Sequence, residues 1–306
     1  AALIKVGDVR AVTAGVVGYQ LAPRLNAAGR LEDATLGVDL LLNEVSQSAM
    51  PVAEQLNQFN HQRRQIEQQV LDQAIERIER DLTDDDLTIV LADERWHAGV
   101  IGIVASRLVE RYHRPTVLIA LEKGQGKGSA RSIKGFHLYQ AFEACQEPLS
   151  GFGGHEFAAG LSIDAACVAR FAEQFERYAQ SHLNPVMLGA VREYDAELVL
   201  EEIDETLYDE LQALAPFGMG NPEPVFVVRQ VHVHRPSCVA EKHLRFSLQQ
   251  DGYSLPCIAF GMAERMNEVT GQPVDVLFQI GMNTWRGQQN LQLVVKDIMP
   301  ASQAIK

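Results

Sequence analysis

Residues 87–121, "LTIVLADERWHAGVIGIVASRLVERYHRPTVLIAL", read as strand, helix, strand. "LTIVLA" and "TVLIAL" are unbroken apolar runs, the pattern of central strands covered on both faces. Between them, "HAGVIGIVASRLVERYH" spaces its apolar residues for a helix and ends in basic residues. The alternation continues downstream as "KGSARSI" (strand), "LYQAFEACQ" (helix), a Gly-rich loop, "LSID" (strand) and "VARFAEQFERYAQSH" (helix). A compact α/β domain with its own sheet is expected over this region.

Upstream, residues 52–80 repeat Leu56, Phe59, Arg63, Ile66, Val70, Ala74 and Ile78 at steps of three and four. This predicts one long helix with a narrow apolar stripe. Its wealth of Gln, Glu and Arg suits a strut between domains better than a ligand site. Before it, "LEDATLGVDLLLNEV" (31–45) has helical spacing and reads as the tail of another compact unit. Downstream, residues 193–300 change texture to short alternating strands with helical inserts at 203–214 and 262–269. About five strands and an interposed helix fit an OB-type Greek-key barrel; a generic β sandwich fits the same pattern.

The chain has 306 residues, with 27 basic and 40 acidic side chains and a net charge of −13. Such a balance disfavours a polyanion bound over the whole surface and confines any nucleic-acid contact to a local basic groove. Cys145, Cys167, Cys238 and Cys257 form no C-x-x-C pair, so a reduced, cytoplasmic setting without structural zinc or disulfides is expected. No apolar run approaches the roughly 20 residues that span a bilayer, so no membrane partner is expected. The N-terminus has neither a signal-peptide layout nor an initiator Met and reads as the interior of a larger protein.

Three stretches suit an oxyanion. "LEKGQGKGSARSIKGFH" (121–137) sets Lys123, Lys127, Arg131, Lys134 and His137 against the single acid Glu122. Ser129 adds a hydroxyl, and Arg131 can grip a phosphate bidentately; a charged β-hairpin turn is the other reading. "GFGGHEFAAGLSI" (151–163) places Gly153, Gly154 and His155 where a short helix "HEFAAG" would begin, and a helix N-terminus favours phosphate. A tight turn with an incidental histidine explains the same residues. In "LAPRLNAAGRL" (21–31), Arg24 and Arg30 flank Asn26 and small residues, which reads as a phosphate site or a surface loop.

Other stretches point elsewhere. Trp96 and His97 read as a buried staple at a helix start, and "APFGMGNPEPVF" (215–226) as a structural turn. In the barrel region, Trp285, Arg286 and Arg245, with Phe246, Phe260, His232 and His234, resemble the interleaved aromatics and cations of single-strand platforms, some of them being core. Metal-dependent phosphodiester hydrolysis needs clustered Asp and His ligands. Asp84, Asp85 and Asp86 are merely consecutive and the nine histidines are scattered, so no metal ligands are expected in this chain.

Taken in order, "APRLNAAGRLEDATLGVDLLL", "WHAGVIGIVASRLVERYHRPTVLIA", "GKGSARSIKGFHLYQAF", "LSGFGGHEFAAGLSI" and "PFGMGNPEPVF" resemble the RecJ family of bacterial single-strand-specific 5′ to 3′ DNA exonucleases. That family lies within the Asp-His-His (DHH) phosphoesterase superfamily, and the resemblance covers almost the whole chain. It implies the end of a DHH catalytic domain at 1–45, a connecting helix at 46–82, a DHH-associated α/β domain at 83–185 and an OB-fold nucleic-acid-binding domain at 186–306.

It further implies that Gly153, Gly154 and His155 line the substrate cleft, His155 with a catalytic role, and that Arg30, Ser129 and Arg131 hold the 5′ phosphate. The family's metal ligands match nothing here, so Mn²⁺ or Mg²⁺ would belong to the whole enzyme and the isolated chain would be its inactive, substrate-binding half. Single-stranded DNA with a 5′ end is the implied substrate, in DNA repair and recombination. A single-strand-binding protein or a helicase would be a further partner. A non-catalytic single-stranded-DNA or protein-interaction module is the alternative.

Overall fold

A computed structural model describes residues 1–301 except 84, 185–187, 190, 191, 219 and 286, and excludes the side chains of 46, 284 and 285. The chain divides into two compact units, 1–190 and 191–306.

The first unit begins with α1 (Ala2–Val6), α2 (Ala14–Val16), a π-helical turn (Val17–Leu21), α3 (Ala22–Leu31) and α4 (Thr35–Leu42). The stretch around "NAAGR", for which a surface loop was one reading, is therefore helical. Pro23 in its first turn suits a helix start. Ala27 and Ala28 are fully buried, and Ala28 and Leu40 pack with Ala53 and Leu56 of the next helix.

That helix, α5 (Ser46–Asp81), has 36 residues and is about 54 Å long. Its buried stripe runs through Ala53, Leu56, Asn60, Arg63, Glu67, Val70, Ala74 and Ile78. The sequence pattern is corrected here in its middle: Phe59 and Ile66 are half-buried, while Asn60 and Glu67 lie inside. They are buried because they satisfy Arg63, which donates to Glu67 Oε2 at 2.6 Å and to Asn60 Oδ1 at 2.9 Å. Arg107 pairs with the other oxygen of Glu67 at 2.9 Å.

The sheet comprises β1 (Ile89–Asp93), β2 (Thr116–Glu122), β3 (Gln125–Arg131), β4 (Leu149–Gly154) and β5 (Ala158–Asp164), in the order β1-β2-β3-β5-β4. The first pair is parallel, joined through α6 (Ala98–Tyr112); the rest are antiparallel. His97 caps α6, its Nδ1 accepting the Gly99 N–H at 3.0 Å. Trp96 is buried beside it, with Nε1 donating to Gln73 Oε1 at 3.0 Å and Arg77 over its ring. Asp93 at the end of β1 pairs with Arg77 and Arg95. Glu176 caps the start of β1 by accepting from the backbone N–H groups of Leu87 and Thr88.

Side-chain alternation gives the sheet two faces. On one, Val117, Ile119, Ala130, Ala159, Leu161 and Ile163 pack under α7 (Leu138–Ala144) and α8 (Val168–His182), filled by Phe142, Phe171 and Phe175. On the other, Ile89, Leu118 and Ala120 lie under α5 and α6. One expectation is overturned: "HEFAAG" contains no helix, and Ala158–Asp164 is strand β5. Non-local pairing decides this, since Ala158–Gly160 ladder with both Arg131–Ser129 and Gly154–Gly153, outweighing the helix propensity of alanine.

The second unit holds β6 (Ala196–Glu197), α9 (Glu205–Gln212), β7 (Phe226–Val239), β8 (His243–Gln250), β9 (Tyr253–Ala259), a 3₁₀ turn (Ala263–Glu268), β10 (Val274–Trp285) and β11 (Gln288–Pro300). Strands run β10-β11-β9-β8-β7-β6, and β10 also pairs with β7. That pairing closes a five-stranded barrel, with β9 and β11 parallel, and settles the fold as an OB barrel rather than a sandwich. Its interior is filled by Val228, Val231, Leu244, Phe246, Leu248, Val276, Phe278 and Leu293.

Candidate functional site

The sheet's second face is only half covered. Beyond α6, strands β3, β5 and β4 present Lys127, Ser129 and Arg131; Ser162, Gly160 and Ala158; and Gly151 and Gly153. These are the positions opposite the buried ones, so a face made of glycine, serine and alanine is left as a shallow floor. A cleft of about 420 Å³ sits on it, bordered by Ala98 and Ile101 of α6 and by Lys127, Ser129, Gly151, Gly160 and Ser162.

Arg131 and Ser129 meet at one end of this floor, where Arg131 Nη1 donates to Ser129 Oγ at 3.1 Å and to the Ala130 carbonyl at 2.7 Å. Helix α6 passes close above them. A Cβ on Gly102 would lie 2.8 Å from Ser129 Oγ and 3.0 Å from Arg131 Nη2, so only glycine leaves room for both. Three residues earlier, a Cβ on Gly99 would lie 1.9 Å from the Arg30 carbonyl, and Arg30 Nη1 donates to the Gly99 carbonyl at 3.2 Å. Two glycines on one helix thus bring α3 and β3 against the same turn of α6. Arg30 converges there with Ser129 and Arg131, which follow it by 99 and 101 residues in sequence.

The electrostatics are those of an incomplete ion pair. Burial lowers the Arg131 pKa from its usual value, and the nearby positive charge of Arg30 lowers it further. Burial likewise lowers that of Arg63 despite Glu67, with the charges of Arg64, Arg30 and Arg107 adding to it. Guanidinium groups so crowded favour an incoming anion, and arginine suits a phosphate because its fork can donate two parallel hydrogen bonds.

Gly153 and Gly154 end β4, and His155 follows in the turn to β5, its N–H donating to the Ala158 carbonyl at 2.8 Å. Gly154 has φ +150, and a Cβ there would lie 2.5 Å from the Ala158 carbonyl and Ala159 Cα, so this tight turn requires glycine. Ala158 pairs with Arg131, so His155 and Arg131 lie at the same end of the sheet, two strands apart, or about 9.6 Å by strand spacing. His155 is exposed, with no side-chain partner among the described residues.

In the barrel, Arg245 is exposed on β8, on the outer face with His232 and His234 of β7, whereas Phe246 is core and Phe260 is exposed beside His243. Trp285 ends β10, but its side chain and the whole of Arg286 lie outside the described residues. Among the described residues no group of three or more His, Cys, Asp or Glu side chains could hold a metal ion. Sequence reading missed Gly99 and Gly102, which it treated only as part of a helix start, and it took α5 for a plain strut. The signal for the floor was present: in "KGSAR" alternate residues are Lys127, Ser129 and Arg131, and in "AAGLSI" they are small or polar.

A parallel-edged α/β domain followed by an OB barrel defines the class. The DHHA1 domain family matches residues 84–181, and the RecJ OB domain family matches residues 194–297. The single-stranded-DNA-specific exonuclease RecJ of Bacillus subtilis is 35% identical over 296 residues, covering 95% of this chain and 38% of that protein. The exonuclease of the same description from Salmonella typhimurium is 33% identical over 305 residues, covering 96% of this chain and 52% of that protein. The crystal structure of Thermus thermophilus RecJ with Mg²⁺ matches with TM-score 0.80 and 29% identity, over 97% of this chain and 45% of that one. The structure of the same protein with Mn²⁺ matches with TM-score 0.80. The chain thus carries a DHHA1 domain and a RecJ OB domain in succession, is similar over almost its whole length to these RecJ exonucleases, and spans about half the length of these relatives or less.

Proposed function

We propose that this chain is the substrate-binding half of a single-strand-specific 5′ to 3′ DNA exonuclease acting in repair and recombination. The convergence of Arg30, Ser129 and Arg131 on one turn of α6, beside an open floor, carries this reading. There they hold the 5′ phosphate, and His155, with Gly153 and Gly154, faces the scissile group along the same row. Arg245 on the outer barrel face, with Trp285 and Arg286, leads the strand inward by backbone and stacking contacts.

Mn²⁺ or Mg²⁺, bound in structures of a relative, would be held by residues outside this chain and would supply the activation of water, while this chain's part is to bind the strand without cleaving it. Free cysteines and the absence, among the described residues, of a helix long and apolar enough to cross a membrane are consistent with work in the cytoplasm.

The test is a titration of 5′-phosphorylated and 5′-hydroxyl oligonucleotides with the parent chain and Arg131→Ala. Loss of one charge-assisted contact should weaken the phosphorylated ligand by about 1.5–3 kcal/mol and leave the hydroxyl ligand nearly unchanged. Equal binding in all four combinations would overturn the end-holding role.

A further inference from the structure

The floor extends past the proposed phosphate group. Lys127 lies on the same face of β3 as Ser129 and Arg131, two residues beyond Ser129, or about 6.6 Å along the strand. Its cross-strand partner on that face is Ser162, and both line the 420 Å³ cleft. Lys127 is exposed and has no ion-pair partner among the described residues, unlike Lys123 at the tip of the same hairpin, which pairs with Glu122 at 3.7 Å. Opposite Ser129 and Ser162 the floor is Gly160 and Gly151, whose bare backbone leaves the space open.

Direction matters. Arg30 and α3 stand at the Arg131 end of β3, and Lys127 stands at the other end, toward the β2–β3 turn. With Arg30 and α3 standing against the Arg131 end, the open floor beside a phosphate held by Ser129 and Arg131 lies toward Lys127. Anything attached beyond the terminal phosphate enters the cleft there.

We infer that Lys127 and Ser162 form a second anion subsite that accepts the outer phosphates of a 5′-di- or triphosphorylated end, beyond the phosphate held by Ser129 and Arg131. This inference rests on the proposed function. An ammonium on a flexible stem and a hydroxyl are suited to a terminal phosphate whose position varies, as a rigid guanidinium fork is suited to a fixed one.

The experiment measures affinity for one oligonucleotide sequence bearing a 5′ hydroxyl, monophosphate or triphosphate, with the parent chain, Lys127→Ala, Ser162→Ala and Lys123→Ala. The parent should bind the triphosphate about three- to tenfold more tightly than the monophosphate, the scale of one partly exposed charge contact. Lys127→Ala should bring that ratio close to one, Ser162→Ala should lower it by a smaller factor, and Lys123→Ala should leave it unchanged. A parent that binds monophosphate better than hydroxyl but gains nothing from the triphosphate overturns the subsite alone. An equal fall in the ratio for Lys123→Ala shows general charge attraction and also overturns it. Indifference to any 5′ phosphate overturns the end-holding reading and the subsite with it.

Discussion

On one face of the five-stranded sheet, Ile119, Leu161 and Ile163 lie under Phe142, Phe171 and Phe175; on the other, Lys127, Gly151, Gly153, Gly160 and Ser162 are exposed. Both sets come from the same strands, residue by alternate residue. Leaving the second set uncovered forgoes apolar burial worth roughly 25 cal/mol per Å². The first face supplies the cohesion, and the second is free to be shaped by what lies on it. Stability and recognition are therefore separable here by a shift of a single position along a strand.

That separation can be broken or sharpened by substitution. The largest effect is expected on the covered face: Phe175→Ala, at a fully buried ring in contact with three other aromatics, should destabilise the α/β unit by about 3–5 kcal/mol in denaturant unfolding. A loss below about 1 kcal/mol would mean that this face is not the one holding the unit together.

A second effect lies at the end of β1, where Arg95 and Arg77 hold the Asp93 carboxyl at about 2, below its usual 3.8. A depressed carboxylate stabilises the fold above its unfolded value and loses that contribution as pH falls. Stability should drop by about 2 kcal/mol between roughly pH 4 and pH 2. Asp93→Asn should flatten that part of the acid unfolding curve.

Two smaller effects concern the open face. Gly102→Ala presses on Ser129 Oγ and Arg131 Nη2, both side-chain ends that can move. It should cost little stability but reduce the preference for a 5′-phosphorylated oligonucleotide about tenfold, or about 1.4 kcal/mol. Gly153→Ala meets nothing within 4 Å and should change stability by less than about 0.5 kcal/mol. If it also leaves oligonucleotide binding unchanged, the floor near β4 is not in contact with the strand.

Much of this architecture was legible in the sequence. The unbroken runs 87–92 and 116–121 became β1 and β2, because burial on both faces leaves no polar alternation to confuse. Arg30, Ser129 and Arg131 could be named individually from their chemistry, but their meeting could not, since it depends on Gly99 and Gly102 letting two other elements approach α6. "HEFAAG" misled because Ala and Glu favour a helix locally, whereas its strand pairs lie some 30 residues away in β3. Arg63 sat correctly on the inner stripe of α5, but its partners Asn60 and Glu67 were invisible as core because polar residues are rarely buried unless paired.

The shared stripe on α5 has a consequence for rotation. Its first half packs Ala53 and Leu56 against α3 and α4, and its second half packs Val70, Ala74 and Ile78 against the α6 side of the sheet. Each residue advances a helix by about 100° and 1.5 Å. One residue inserted between Asn60 and Glu67 would therefore swing Arg30 and its neighbours a quarter-turn and more away from Arg131. The helix works as a phase-setting shaft: the number of residues it contains, as much as their identity, decides whether the two arginines meet.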